Sequence, residues 1–400
     1  MEVVVVDRCC PAPPGRGGLP AVVDAQVHGW DGRPHNQSGP AGEQFVADLL
    51  HRHRMVDPSP RPLSADAFEL VTPQALAAHV LSAVDRAVLV PAGFEDLFVL
   101  GFAAPAWHAE LAAEHPGRLA LAGELDPADR ARARGIGARV GRDGLRALTV
   151  LPARRPETAL SLRAPWLRRT LIRAEQAGAG VVHIGVAPTA RPSRAAPDWA
   201  HAGVVAEGEA APRPRWPEWA EPVRAGSALP VRVRSAGPLP AGAVDVTEVA
   251  ALATALPKIR FVVGAACAPT ASLIRLARVP NVYVLLTDLL IALRRHRVPA
   301  AEALGELLAA YGPDRLMFGS GYPLVRPARL IRDLMTFRYP DELRGRFPEL
   351  DDDVRAALLG GTAARVHGFD LGCATPRTGP RRRGALSPPE CSTGKPKFVS

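Results

Sequence analysis

Aromatic residues are scarce in this chain of 400, at 5% of the total. Any core it builds must therefore be filled by layers of Ala, Val and Leu. Cysteine is almost missing too. Cys9, Cys10, Cys267, Cys373 and Cys391 contain no CxxC pair of the zinc-binding kind, and the adjacent Cys9 and Cys10 are poorly placed to bridge each other, so reduced, incidental thiols are expected. No run of about 18 apolar residues exists, which excludes an obvious membrane helix. The short apolar run at Val3–Val6 lacks a basic segment before it and leads straight into proline-rich sequence. That is unlike a secretory signal, and a cytoplasmic protein is expected. No Gly-x-Ser-x-Gly elbow or Cys/His pairing stands out, so nucleophilic catalysis of those kinds has no support. Gly135, Gly137 and Gly141 follow no immediate strand, as a dinucleotide loop would require, and are read as a simple turn.

Acidic residues are outnumbered, leaving a formal net charge of +9. In residues 371–400, six Arg and Lys (Arg377, Arg381, Arg382, Arg383, Lys395, Lys397) stand against Glu390, a net of +5. Over half the excess thus lies in a Pro/Gly/Ser tail without apolar periodicity, which reads as disordered. Such a tail attracts polyanions without sequence preference, and the remaining Arg residues have no aromatic interleaving, so no specific nucleic-acid partner is expected.

What the chain does have is a rhythm. With 47% hydrophobic residues, short β-branched runs alternate with longer Ala/Leu/Arg segments of helical character. The runs are Ala21–Val27, Arg86–Val90, Leu119–Gly123, Leu145–Leu151, Val181–Gly185, Val231–Val233, Arg260–Gly264, Val282–Leu286 and Arg315–Phe318. Continuous apolar strands belong to parallel sheets covered on both faces, and strand–helix alternation argues α/β. The expected fold is a (β/α)8 TIM-like barrel over residues 21–370, after a loose leader at 1–20 and before the tail. Nine runs compete for eight places. Residues 186–228, rich in Pro, Ala and Trp, read as an insertion near strand 5. Val181–Gly185 is the preferred fifth strand because it follows the helix-like Pro165–Gln176; Val231–Val233 is the rival.

Functional side chains of such barrels project from the carboxyl ends of the strands. The first strand ends Asp24-Ala-Gln26-Val-His28-Gly-Trp30. Gln26 and His28, two apart, face one space, either as a polar pair plugging the mouth or as substrate contacts. By the same alternation Asp24 is expected to face inward, one layer deeper. Asp288 follows strand seven and is the best-placed carboxylate for a base, although a helix cap is the commoner use of such a residue. Arg232 or Arg234 would grip an anionic substrate if their strand is in the barrel. Ser320 and Tyr322 are placed at the mouth after strand eight, with surface loop positions as the alternative. His51 and His53 sit two apart on a helix, diverge, and read as part of a solvated basic face. His79, His108, His115, His296 and His367 are scattered and carry no motif.

Asp-Ala-Gln-Val-His-Gly-Trp resembles the opening strand of the amidohydrolase-related family, which includes aminocarboxymuconate-semialdehyde decarboxylase-like enzymes and sugar-acid lactonases. Ser82–Pro91 resembles the family's second strand, Tyr311–Val325 its eighth-strand signature, and Leu358–Phe369 its closing helix. The resemblance implies a barrel and, in metal-dependent members, a His-x-His pair on strand one, histidines after strands five and six and an aspartate after strand eight. By position, Gln26 replaces the first histidine and His28 keeps the second. His183 fits the strand-five histidine, or Arg234 replaces it in the other register. Ala265 stands at the strand-six position and Gly321 at the aspartate. The resemblance further implies that this aspartate activates the attacking water, a task a glycine cannot perform.

Three functions follow as expectations. The first is a hydrolase acting on a small carboxylated lactone, ester or amide without a full metal site, with His28, His183 and Asp288 as catalytic candidates and Gln26, Arg232, Arg234, Ser320 and Tyr322 as substrate contacts. The second is a catalytically inactive binding module for a small molecule or protein. A decarboxylase ranks third, since it too would need the metal cage. No cofactor is expected, and a weakly held divalent metal such as zinc is left open. A small molecule is the expected partner, membrane and specific nucleic acid are not, and a homo-oligomer stays open.

Overall fold

The computed structural model describes residues 20–57, 62–125, 130–151, 161–185 and 244–371. Arg232, Arg234, the 186–228 insertion, residues 1–19, the tail from residue 372 and the cysteines other than Cys267 lie outside the described residues.

Eight parallel strands pair in chain order: β1 (Val23–Val27), β2 (Arg86–Leu89), β3 (Leu119–Leu125), β4 (Leu145–Val150), β5 (Val181–Ile184), β6 (Arg260–Gly264), β7 (Val282–Leu285) and β8 (Leu316–Met317). The Ala25 amide donates to the Phe318 carbonyl at 3.0 Å, which brings the end of the sheet back to its beginning. Helices separate the strands, and the whole is a (β/α)8 barrel. Val181–Ile184 is the fifth strand, with Val181 in register with Ala147 on one side and Arg260 on the other.

The sequence pattern explains why both faces of the sheet are dry. Val88, Ala120, Ala122, Ala147, Val181, Val262, Leu285 and Met317 form an inner cluster, while their neighbours Leu89, Leu121, Leu148, Val182, Phe261 and Val284 meet the helices. Each such Val or Leu contributes about 1.5–3 kcal/mol of burial. The closing helix Thr362–His367 adds Ala363, Ala364 and Val366 to the inner cluster. Arg86 and Arg260, at the starts of β2 and β6, donate to the carbonyls of Asp370 and Arg365. That helix therefore shuts the amino-terminal end of the barrel and leaves the carboxyl end for the site.

Helix Pro165–Gln176 begins on a proline that gives up no hydrogen bond there, and it buries Leu167, Thr170, Leu171 and Ala174 at helical spacing. Two local expectations change. Gly137 and Gly141 lie inside a helix, Ile136–Asp143, rather than in a turn. Burying Ile136 and Val140 four residues apart outweighs the cost of about 1 kcal/mol per glycine. In helix Pro40–Val56, His51 is exposed but Arg52 and His53 are buried, so the solvated face is wrong for those two. They continue the apolar stripe of Phe45, Leu49 and Val56. No helix of the described residues is long and apolar enough to cross a membrane.

Candidate functional site at the carboxyl end of the barrel

β1 carries a register slip: Asp24 pairs with Ala87 but Val27 pairs with Leu89, three steps on one strand against two on the other. The slip changes which side chains share a face. Val23 and Ala25 lie in the inner cluster, and Asp24 does not share the column of Gln26 and His28. This corrects the expectation from simple alternation, which assumes an unbroken strand. Asp24 instead spans to the end of β8, where its Oδ1 accepts the amides of Gln26 at 3.1 Å and Ser320 at 2.9 Å. Burial raises its carboxyl from 3.8 to about 7, against the lowering effect of the Ser320 and Gln26 hydrogen bonds.

Gln26 and His28 do meet. His28 Nδ1 donates to the Val90 carbonyl at 2.7 Å, which fixes the neutral tautomer with Nε2 as acceptor. The Gln26 side-chain amide nitrogen donates to that Nε2 at 3.1 Å. Both residues are buried, and burial lowers the His28 imidazole to about 4 in spite of the Val90 carbonyl. Trp30 lies parallel to the His28 ring and donates its indole N–H to the Phe68 carbonyl.

The other sequence candidates are dispersed. His183 is buried on β5, in register with Thr149 and Val262. Neither of its ring nitrogens has a hydrogen-bond partner among the described residues, and its ring lies 5.2 Å from that of His367 on the closing helix. Desolvation lowers it to about 3. Its observed neighbour is thus the plug at the closed end, and no hydrogen bond joins it to His28. Asp288 lies in the first turn of helix Thr287–Ala292 and accepts from Arg52 at 2.8 Å. Ser320 is buried; its Oγ accepts the Tyr322 amide at 3.0 Å. Tyr322 packs in the main hydrophobic cluster, and its hydroxyl makes a 2.8 Å hydrogen bond with His79 Nδ1. It is fully buried beside the end of β1, so it is not a surface loop residue. The peptide linking it to Pro323 is cis.

Four residues at this end escaped the sequence reading. His108 accepts the Gly29 amide through Nε2 at 2.9 Å. Glu124, buried at the end of β3, accepts the Gly93 amide at 2.7 Å; its signal was a strand running two residues beyond the expected Gly123. Arg52 is signalled by its place in the apolar stripe of its helix. Thr287 has no sequence signal, because only the fold puts it beside Gly321. A Cβ on Gly321, whose φ is +61°, would stand 2.8 Å from Thr287 Cγ2.

A family model described as amidohydrolase matches residues 23–369. This chain belongs to the amidohydrolase family. Among solved structures, an uncharacterized TIM-barrel protein from Bordetella bronchiseptica is 14% identical with a TM-score of 0.54, covering 88% of this chain and 100% of that one. An amidohydrolase from Burkholderia multivorans with bound zinc is 18% identical with a TM-score of 0.51, at 88% and 100% coverage. The same protein with bound HEPES is 17% identical with a TM-score of 0.50 and the same coverage. At these identities the likeness is one of fold. No curated protein matches.

Proposed function

We propose that this amidohydrolase-family barrel binds a small carboxylated molecule at its mouth and does not perform metal-dependent hydrolysis. The Gln26–His28 hydrogen bond carries this reading. In a His-x-His half-site both Nε2 lone pairs would converge on a cation; here an amide N–H fills the one lone pair that exists. Catalytic zinc calls for three protein ligands. Ala265 offers a methyl group, Gly321 offers none, and Thr287 crowds the space a side chain at 321 would enter. Among the described residues, no group of three or more His, Cys, Asp or Glu stands together as a cation site. The donor set does not fit zinc.

The test joins three measurements on the purified chain: metal content, turnover of a panel of small lactones, and thermal stabilisation by small carboxylates. Saturable stabilisation without turnover supports the proposal. Stoichiometric zinc accompanied by turnover overturns it.

One observation favours a second reading, metal-free hydrolysis of a lactone, ester or amide. With Nδ1 pinned to Val90, His28 always presents Nε2 as an acceptor, and a substrate water could replace the Gln26 amide there. In that case His28→Asn removes turnover while carboxylate binding survives. On this reading Asp288 could serve as a base only after giving up Arg52.

A further inference from the structure

Helix Thr287–Ala292 with the turn after it, the start of helix Arg297–Tyr311, and helix Pro327–Met335 frame a groove of 290 Å³. Its volume is close to the lower bound of about 300 Å³ for small-molecule sites. Leu290, Leu330, Leu334 and Phe337 form an apolar floor, each less than a tenth exposed.

The rim carries two guanidinium groups with different fates. Arg294 is neutralised, since it pairs with Asp333 and donates Nε to the Val56 carbonyl at 2.8 Å. Arg297 donates one N–H to the Arg338 carbonyl at 3.1 Å and has no carboxylate partner among the described residues. Arg297 is exposed and lines the groove beside the apolar floor, and with Arg294 and Arg297 against Asp333 the lining carries one positive charge in excess. A planar guanidinium with free N–H groups matches a carboxylate in geometry as well as charge.

We propose that this groove binds a small monocarboxylate with an apolar chain or ring, its carboxylate on Arg297 and its body on the leucines and Phe337. Charge complementarity selects the sign of the ligand, and the floor selects its apolar body. None of the residues lining this groove is among the candidates at the barrel mouth.

Octanoate is the probe, titrated into the full chain by calorimetry and by thermal shift, with octanol and octylamine as charge controls. Saturable octanoate binding is expected, with neither control matching it. Arg297→Gln is expected to weaken octanoate at least about tenfold, the worth of one charge-assisted bond. Thr336→Trp, at the exposed rim, is expected to block the groove while keeping the charge. Arg346→Gln, at an exposed arginine paired with Glu302, is expected to leave binding unchanged. No octanoate binding, equal binding of octanol, or undiminished binding to Arg297→Gln with the fold intact would overturn the proposal.

Discussion

Asp24 and Ser320 lie 296 residues apart in sequence, and the Ser320 amide donates to the Asp24 carboxylate at 2.9 Å where the barrel closes. Asp24→Ala would leave the buried amides of Ser320 and Gln26 without that acceptor, a loss of about 1–3 kcal/mol for each unpaired group. Urea unfolding at pH 7 measures it. Asp24→Asn keeps an acceptor oxygen and removes the titration. Because burial raises the folded carboxyl from 3.8 to about 7, its contribution to stability is full below pH 3.8 and is lost as pH rises toward 7. Relative to wild type, Asp24→Asn should therefore gain stability between pH 4 and 7. A constant difference across that range would contradict the assignment.

His183 and His367 titrate with the opposite sign. Burial lowers His183 to about 3 and His367 well below 6.5, the latter also through its neighbours His183 and Arg260. Both are held neutral in the fold, so the stability they contribute is present above pH 6.5 and is lost as pH falls toward the folded values. The four ring nitrogens have no hydrogen-bond partners among the described residues. His367→Leu should leave Tm at pH 7 unchanged or raised and should flatten its fall between pH 6.5 and 4.5. A steeper acid limb in the variant would contradict this.

Gly321→Asp introduces a side chain at φ +61° with Thr287 Cγ2 in its path. It should cost about 1–3 kcal/mol, as overpacking does. Thr287→Ser removes that methyl and should return part of the loss, a coupling that a double-mutant cycle reads directly. Neither Gln26→His nor the Gly321→Asp, Thr287→Ser pair is expected to take up stoichiometric zinc alone, since each falls short of three ligands. Metal analysis of the purified variants checks it.

Arg52 is 3% exposed at its side chain and bonds Asp288, which is 26% exposed. Removing one partner of a buried ion pair is costly because a charge stays behind. Asp288→Asn should lower Tm by several degrees, roughly 1–3 kcal/mol, since Arg52 keeps its other contacts. An unchanged Tm with lost turnover of a lactone substrate would instead make Asp288 a base.

The barrel was legible in the chain because both sheet faces are buried, which writes each strand as a continuous apolar run. Arg260–Gly264 and helix Pro165–Gln176 appear at the boundaries their patterns suggested. Gln26 and His28 were legible as a pair because a spacing of two survives on a local stretch of strand. Simple alternation misplaces Asp24 because the slip in β1 arises from pairing with β2, and no property of residues 23–28 alone announces it.

Sequence by itself determined the strand–helix alternation, the Gln26–His28 pair, and the residue types at 265 and 321. Tertiary structure decided which of two runs is the fifth strand, that His183 meets His367, that Tyr322 turns to His79, and that Thr287 stands over Gly321. The physical reason is separation along the chain. Periodicity records whether a face is buried, but not which distant residue buries it, and each of these contacts joins elements brought together only when the barrel closes.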